Sequence, residues 1–350
     1  MKNEKILLVG GEGFIGRNLQ VKLYEANASF ESIDNYNKDA HHLRTVRLDR
    51  NVIVDLNRIT EIISFLNDSS PTTIVYLASE TGTGNSNSDF YNFTNSNCMC
   101  LANLLEACRI AQCEPYFVLA SSRAVYGEGC YKTHDGNIYF NLKRDPSHLE
   151  AGCFDILKNG VPLKFLPNSI EQPPTPISIY GHTKLYQESL LTTSSEIFGY
   201  TILRFQNVYG AGQNVFNSYT GILNQFVDKA LKGLAINIFE DGEMLRDYIH
   251  VDDVTSAIVE SIKLKNHNKR EIFDIGSGKP TTTKQLTSLI FSLIGNNKNR
   301  YRVSGDYRLA DIRHAYCNLS KTTDRLNWTP KVSLQDGLTK LIDSFEDHYK

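Results

Sequence analysis

The run Val9-Gly10-Gly11-Glu12-Gly13-Phe14-Ile15-Gly16 constrains this chain more than any other segment. It follows an apolar stretch, Lys5 to Val9, that reads as a strand. It opens a segment, Phe14 to Ala26, in which Ile15, Leu19 and Leu23 recur on one helical face. Three glycines at a strand–turn–helix junction meet three distinct needs: a tight turn, a backbone with no Cβ where a ligand must approach, and close packing of helix on strand. Few folds need all three at once, and an open, mainly parallel α/β sheet is the one that does.

The same turn specifies a ligand class. A helix N-terminus presents unpaired amides and the positive end of the helix dipole, which suits the pyrophosphate of a dinucleotide. Such sites carry an acidic residue about 20 positions further on, to hold the ribose hydroxyls. Asp34 closes the second strand at about that distance. Its charge repels a 2′-phosphate, so NAD is expected over NADP, although Arg44 and Arg47 follow. Gly10, Gly13, Phe14, Ile15, Gly16, Asp34 and Asn35 are the expected cofactor contacts of this first unit.

The rest of the first two-thirds repeats the strand–helix alternation. Strands are expected at Phe30 to Ile33, Asn51 to Asp55, Thr73 to Ala78, Tyr116 to Ala120 and Tyr200 to Phe205. Helices are expected at Ile59 to Leu66, Asn97 to Ala111, Ser178 to Phe198 and Ile222 to Lys232. Alternation of this kind gives parallel strands with right-handed crossovers and helices on both faces, a doubly wound Rossmann-type sheet. Residues 127 to 176 break the pattern. They are rich in Gly and Pro, and an insertion of loops and short strands beside the active site is expected there. The domain reading is a cofactor domain over 1–206 containing that insertion, and a smaller α/β substrate domain over most of 207–350, with the chain returning near 247–265.

Composition narrows the function classes. Lys plus Arg number 37 and Asp plus Glu 39, a formal net charge of −2, so the basic excess of a nucleic-acid binder is missing. No apolar run approaches the length of a membrane span, and the N-terminal stretch is too short for a signal peptide. The seven cysteines, Cys98, Cys100, Cys108, Cys113, Cys130, Cys153 and Cys317, are odd in number and lack metal-type spacing. Reduced thiols in a cytoplasmic protein, with no metal, are the plain expectation.

Tyr180-Gly-His-Thr-Lys184 places a phenol and an ammonium four residues apart, on one face of a helix. A free tyrosine is a poor base at neutral pH. A neighbouring cation favours its phenolate and makes it a usable proton acceptor. The fifth strand ends in Ser121-Ser122-Arg123. Strand C-termini are where open α/β sheets bind ligands, so a hydroxyl there can share a proton between substrate and Tyr180.

With these motifs in this order, the chain resembles an extended short-chain dehydrogenase/reductase of the nucleotide-sugar epimerase/dehydratase family. The resemblance covers nearly the whole chain. It places the catalytic group on Ser122, Tyr180 and Lys184. It adds Asp55, Leu56, Leu77, Ala78, Ser79, Asn97 and Phe205 to the NAD contacts. Asn207, in an Arg204-x-x-Asn207-x-Tyr209-Gly210 motif, Arg246 in Arg246-Asp247-Tyr248 and Arg308 in a later Arg segment are implied to meet a nucleotide-diphosphate sugar. The implied reaction is transient oxidation at C4 and return of the hydride to the other face of the sugar. The implied assembly is a homodimer formed through the helices at 97–111 and 178–198.

Family members that eliminate water carry Asp-Glu after the catalytic hydroxyl residue. Arg123-Ala124 stands there instead, which disfavours a dehydratase. Thr81, Thr83 and Ser86 after the fourth strand, Arg123, and the insertion with Tyr139 and Arg144 are similar to bacterial dTDP-L-rhamnose 4-epimerases. In that subfamily Thr81, Thr83, Ser86 and Arg123 would face the sugar. A nucleotide-4-keto-sugar reductase, a UDP-sugar 4-epimerase, a nucleotide-sugar decarboxylase and a catalytically silent NAD sensor on the same fold are the alternatives.

Overall fold

The computed structural model describes residues 4–35, 51–82, 86–213, 221–265, 270–295, 300–309 and 311–349. Its spine is a seven-stranded sheet made of β1 (Lys5–Val9), β2 (Ser29–Asp34), β3 (Asn51–Ile53), β4 (Thr73–Tyr76), β5 (Tyr116–Ser122), β6 (Tyr200–Phe205) and β7 (Arg270–Ile275). All pairs are parallel, in the order β7-β6-β5-β4-β1-β2-β3. Alternate side chains point to opposite faces, and both faces are covered. Ile6 and Leu8 meet Leu19 and Leu23 of α1 (Phe14–Glu25), whereas Leu7 and Val9 belong to the core of Ile62 and Leu66 of α2 (Ile59–Ser69) and Leu101, Leu104 and Cys108 of α3 (Cys100–Ile110). Every residue of β4 and β6 is therefore buried, which is why these strands read as unbroken apolar runs.

Two helices differ from their expected bounds. The rod that ends in α3 begins earlier, with Phe90–Thr94, and passes through a π-turn at Asn95–Met99. Asn and Ser are poor helix interior residues, so side-chain hydrogen bonds rather than propensity hold this turn. α4 (Ile179–Thr193) starts where the Ser178 hydroxyl accepts from the Gly181 amide and stops at Ser194, short of Phe198.

The 127–176 segment holds the expected loops and short strands, and the strands pair. Lys164–Leu166, Cys130–Lys132 and Ile138–Tyr139 form an antiparallel three-stranded sheet. It encloses a core of its own, Tyr131, Ile156, Leu163 and Phe165, with the Tyr131 and Phe165 rings edge to face at 5.2 Å.

After β6 the chain builds a second lobe around Leu223, Phe226, Leu286, Ile290, Leu338 and Leu341, carried by the helices Ile222–Leu231, Thr283–Ile294 and Leu334–Tyr349. Between these helices the chain returns to the main sheet through α5 (Val251–Lys263), which packs beside α1, and then through β7.

Buried ion pairs fasten the insertion to this lobe. Arg144 pairs with Glu240, and its Nη2 donates to the Arg308 and Asp311 carbonyls at 3.1 and 2.7 Å. Arg313 binds Asp155 at 2.8 Å, Glu240 at 3.0 Å and both oxygens of Asp241 at 2.7 Å. On the inner side, the Glu128 carboxylate accepts from the Arg313 amide at 2.8 Å and the Tyr131 hydroxyl at 2.9 Å.

Candidate active site

The strand order reverses between β1 and β4, and the chain leaves these neighbours toward opposite faces. A crevice opens at their C-terminal ends, where open α/β sheets bind ligands. Gly10 has φ +82°, and a Cβ there would lie 2.6 Å from the Ala78 amide nitrogen, so only glycine lets the two turns meet. A Cβ on Gly16 would lie 2.5 Å from the Gly11 carbonyl oxygen, which brings α1 close to the turn. At Gly13 an added Cβ would touch only the Gly10 carbonyl oxygen, at 3.4 Å. Gly13 is the N-cap of α1 and offers no side-chain cap, so the amides of the first turn lie under an open surface. That surface fits a pyrophosphate.

The neighbouring edge is arranged to match. Asp34 Oδ2 accepts from the Glu12 amide at 3.0 Å, which fixes the carboxylate at the end of β2 beside the glycine turn. Asn35 follows, exposed. Glu12 is itself buried, within 3.5 Å of Arg17 and hydrogen bonded by Gln20 at 3.3 Å. Leu77 and Ala78 both donate to the Val9 carbonyl, at 2.8 and 2.9 Å, closing the turn after β4 over β1. Asp55 holds the Asn57 amide at 2.9 Å, and the Leu56 carbonyl accepts from Asn103 at 2.9 Å. Gly10, Gly13, Phe14, Ile15, Gly16, Asp34, Asn35, Asp55, Leu56, Leu77, Ala78 and Ser79 thus share one rim of the sheet.

Asn97 lies deeper, with no exposed surface, and its side chain is committed to the protein. Oδ1 accepts from the Ser79 hydroxyl at 3.0 Å and the Glu80 amide at 2.8 Å. Nδ2 donates to the Glu80 carbonyl at 3.1 Å and to Thr183 Oγ1 at 2.9 Å. Gln187 Nε2 donates to the Asn97 carbonyl at 2.7 Å. One residue therefore ties the cofactor-side turn to α4.

α4 carries Tyr180 and Lys184. It lies so close to the short helix Arg123–Tyr126 that a Cβ on Gly181 would sit 2.6 Å from the Ala124 carbonyl oxygen. This places Tyr180 over the end of β5. Burial raises the Tyr180 hydroxyl above its ordinary range, while the nearby Ser122 hydroxyl and the Arg123 guanidinium pull it back down. Ser122 accepts from the Ala124 amide at 3.2 Å, so its oxygen is fixed. Lys184 is buried, and Nζ donates to the Ala120 carbonyl at 2.9 Å and Gln187 Oε1 at 3.1 Å. Burial lowers it to about 7, against the attraction of Glu188. Phe205 ends β6 in register with Ser122.

The residues expected to face the sugar divide. Arg123 and Asn207 join the Ser122–Tyr180 group, with Arg123 Nε donating to Asn207 Oδ1 at 2.7 Å. Thr81 is exposed beyond β4, Ser86 is fully buried, and Thr83 lies outside the described residues. Arg246 is buried and already donates to the carbonyls of Leu245, Ile312 and Arg313 at 2.8–3.0 Å and to Asp311 at 3.1 Å. It reaches the site through its field on Arg123. Arg308 is exposed, stacked over Phe239 at 4.9 Å.

Sequence reasoning missed the buried support beneath the site. Glu188 accepts from the Ser121 hydroxyl at 2.5 Å and takes a two-pronged bond from Arg204 at 2.9 and 2.6 Å. Arg204 lies 4.8 Å from the Tyr126 ring, and the Tyr126 hydroxyl donates to Asp274 at 2.8 Å. The available signal was spacing: Gln187 and Glu188 follow Lys184 at three and four residues, on the face of α4 that looks into the protein.

Among known proteins, the chain matches the NAD dependent epimerase/dehydratase family over residues 6–141 and 161–276. It is 35% identical to a dTDP-L-rhamnose 4-epimerase of Burkholderia thailandensis, over 97% of this chain and 94% of that protein. It is 26% identical to a putative UDP-glucose 4-epimerase of Methanocaldococcus jannaschii, over 97% of each. The fold aligns with a UDP-glucose 4-epimerase of Thermotoga maritima solved with UDP-glucose, at TM-score 0.78 and 25% identity, over 99% of this chain and 100% of that one. With the glycine turn, the Ser122–Tyr180 pair and this breadth of match together, the chain belongs to the NAD dependent epimerase/dehydratase family.

Proposed function

We propose that the chain is an NAD-dependent nucleotide-sugar 4-epimerase, that its substrate is dTDP-L-rhamnose, and that its product is dTDP-6-deoxy-L-talose. The observation that carries the reaction is the convergence of Ser122, at the end of β5, and Tyr180, on the helix packed against Ala124, at the C-terminal edge of the sheet beside the rim that fits a dinucleotide. The substrate rests on the 35% identity to the Burkholderia thailandensis enzyme across nearly the full length of both proteins.

In this reading Gly10, Gly13, Gly16 and the first turn of α1 hold the NAD pyrophosphate, and Asp34 takes the ribose hydroxyls. The bound nicotinamide supplies a reversible acceptor for the hydride at C4 of the sugar. Tyr180 accepts the C4 hydroxyl proton and returns it on the opposite side of the cycle. Ser122 keeps that proton in a short bridge between sugar oxygen and phenol. Lys184, fixed by the Ala120 carbonyl and Gln187, holds the helix face that presents Tyr180. Asn207 donates to the sugar nucleotide. Between the two half-reactions the sugar turns within the pocket, so its contacts must be few enough to exchange.

The helices at 97–111 and 178–198 form the homodimer contact. Apolar side chains left outside on these helices and on the turn Phe90–Thr94 that leads into the first of them support this: Met99 is 50% exposed, Tyr186 48%, Phe90 61% and Tyr91 78%. The seven free cysteines support a reducing, cytoplasmic setting.

The test is to incubate the purified protein with dTDP-L-rhamnose and no added cofactor, and to read the C4 proton coupling by NMR. Appearance of the C4 epimer, with protein-bound NAD unchanged in amount, is the expected result. Turnover of UDP-sugars alone would reject the substrate. Turnover of 4-keto sugars only with added reduced cofactor would reject the epimerase in favour of a reductase.

A further inference from the structure

The Lys184 ammonium stands on two legs. Nζ donates to the Ala120 carbonyl of β5 at 2.9 Å and to Gln187 Oε1 at 3.1 Å. The second leg does not end at Gln187. That residue has no exposed surface, and its Nε2 donates to the Asn97 carbonyl at 2.7 Å. Asn97 lies in the π-turn Asn95–Met99, and its side chain holds the Ser79 hydroxyl and the Glu80 amide and carbonyl of the cofactor-side turn. Its Nδ2 also donates at 2.9 Å to the hydroxyl of Thr183, the residue before Lys184. A continuous path of hydrogen bonds thus runs from the cofactor rim to the ammonium, and Gln187 is its last link. Among the described residues, Gln187 is the only side chain that accepts from Lys184. The nearby carboxylate of Glu188 is taken up by Arg204 and Ser121.

We infer that Gln187 is a positioning residue of the reaction: it registers the Lys184 ammonium against the cofactor rim, so that the one N–H left for the bound ligand has a set direction. The orientation of the Gln187 amide follows from hydrogen-bond inventory. A backbone carbonyl can only accept and an ammonium can only donate, so the NH₂ group must face Asn97 and the oxygen must face Lys184. Both ends demand the same orientation, and a flipped amide would set like against like at each. The direction of the remaining N–H follows from the shape of the ammonium. It carries three donors, and two are taken, one by β5 and one by Gln187. Rotation about the Cε–Nζ bond would break both. With an apolar side chain at position 187, Lys184 would be held by the Ala120 carbonyl alone and could pivot on that single bond. The Asn97 carbonyl would also lose the Gln187 donor.

This inference rests on the reading of Tyr180 and Lys184 as catalytic, and its test separates the two. The side-chain nitrogen resonance of Lys184, in holoenzyme isotopically labelled in lysine and assigned by its absence from Lys184→Met, gives the protonation midpoint of the ammonium without any substrate. Burial brings Lys184 to about 7, with Glu188 on its own helix and Cys98 in the π-turn as the titratable groups around it, so a lost acceptor changes its charge near neutral pH. A hydrogen bond to the charged form favours that form, so Gln187→Met is expected to lower the midpoint by about one pH unit, and to lower kcat by about tenfold while KM for the nucleotide sugar stays within about twofold. Gln187→Glu keeps an acceptor for Lys184 and adds a charge, so its midpoint moves up instead. Its second oxygen faces the Asn97 carbonyl, so kcat still falls, and recovers toward acid as protonation returns a donor. The opposite sign of this shift carries the test if Gln187→Met does not fold. In the Lys184→Met background, Gln187→Met should change the residual rate by less than about twofold, because a residue that acts through Lys184 has nothing left to act on. A midpoint unmoved in a Gln187 variant that retains its NAD, or the full loss of kcat persisting without Lys184, would overturn the assignment. Failure of the wild type to turn over any nucleotide sugar would instead overturn the epimerase reading and leave the midpoint measurement standing.

Discussion

Asn97→Ala is the substitution that most directly probes how the cofactor side and the catalytic helix are joined. The side chain makes four hydrogen bonds, to Ser79, to the Glu80 amide and carbonyl, and to Thr183, and it has no exposed surface. At about 1 kcal/mol net for each bond, truncation costs about 3–4 kcal/mol, part of it the price of an orphaned Glu80 amide. For a chain of 350 residues the unfolding entropy near the midpoint converts that cost to a Tm lower by about 5 °C. The assay is urea unfolding followed by far-ultraviolet circular dichroism, read beside kcat/KM. Activity is expected to fall further than stability alone explains, because Thr183 lies one turn from Tyr180 and one residue from Lys184. Asn97→Asp sharpens the point: its second oxygen would face the Glu80 carbonyl, so its defect shrinks as acid protonates it. Unfolding of Asn97→Ala within about 1 kcal/mol of wild type would refute the claim that this residue joins the two halves of the site.

Three further outcomes are expected. Gly13→Ala should fold normally and bind NAD more weakly, because its Cβ meets little but the Gly10 carbonyl and fills the open surface over α1, whereas Gly10→Ala should lose stability as well, having both φ +82° and the Ala78 backbone against it; thermal melts and the NAD content of the purified proteins distinguish them. Glu188→Ala leaves Arg204 buried and unpaired, which should cost about 3–5 kcal/mol in urea unfolding, while Glu188→Leu combined with Arg204→Met should recover much of the loss. Burial pushes Glu128 up to about 7, so its folded midpoint lies above its unfolded one; its contribution is present in full below about pH 4.5 and is lost as pH rises to 7, and Glu128→Gln should therefore gain on wild type across that window and hold a constant difference above it in urea titrations at pH 5, 6 and 8.

The cofactor half of the site was legible because its signals are local. Gly10, Gly13 and Gly16 need no partner to be recognised, and β1, β4, β5 and β6 are apolar on both faces because helices cover both. Tyr180 and Lys184 were legible by spacing. Distant pairings were not. The π-turn around Asn97 has a polar, weakly helical sequence, and its stability comes from Glu80 and Thr183, far along the chain. The insertion was readable as loops and short strands, but not how they pair, because its strands are only two or three residues long among Gly and Pro and its ion pairs join Arg144 to Glu240 and Asp155 to Arg313.

The ionic fastening of the insertion bears on how such enzymes can be remodelled. A designer wishing to change the sugar accepted would graft residues 127–176 from a relative onto this scaffold. Here the graft would arrive without Glu240, Asp241 and Arg313, which belong to the recipient lobe and receive Arg144 and Asp155. An incoming segment lacking Arg144 would leave Glu240 buried with one cation fewer, and one lacking Glu128 would leave the Arg313 amide without its acceptor. The unit of exchange is therefore the insertion together with residues 240–241 and 311–313, and a chimera cut at the sequence boundaries alone inherits an unbalanced charge at its centre.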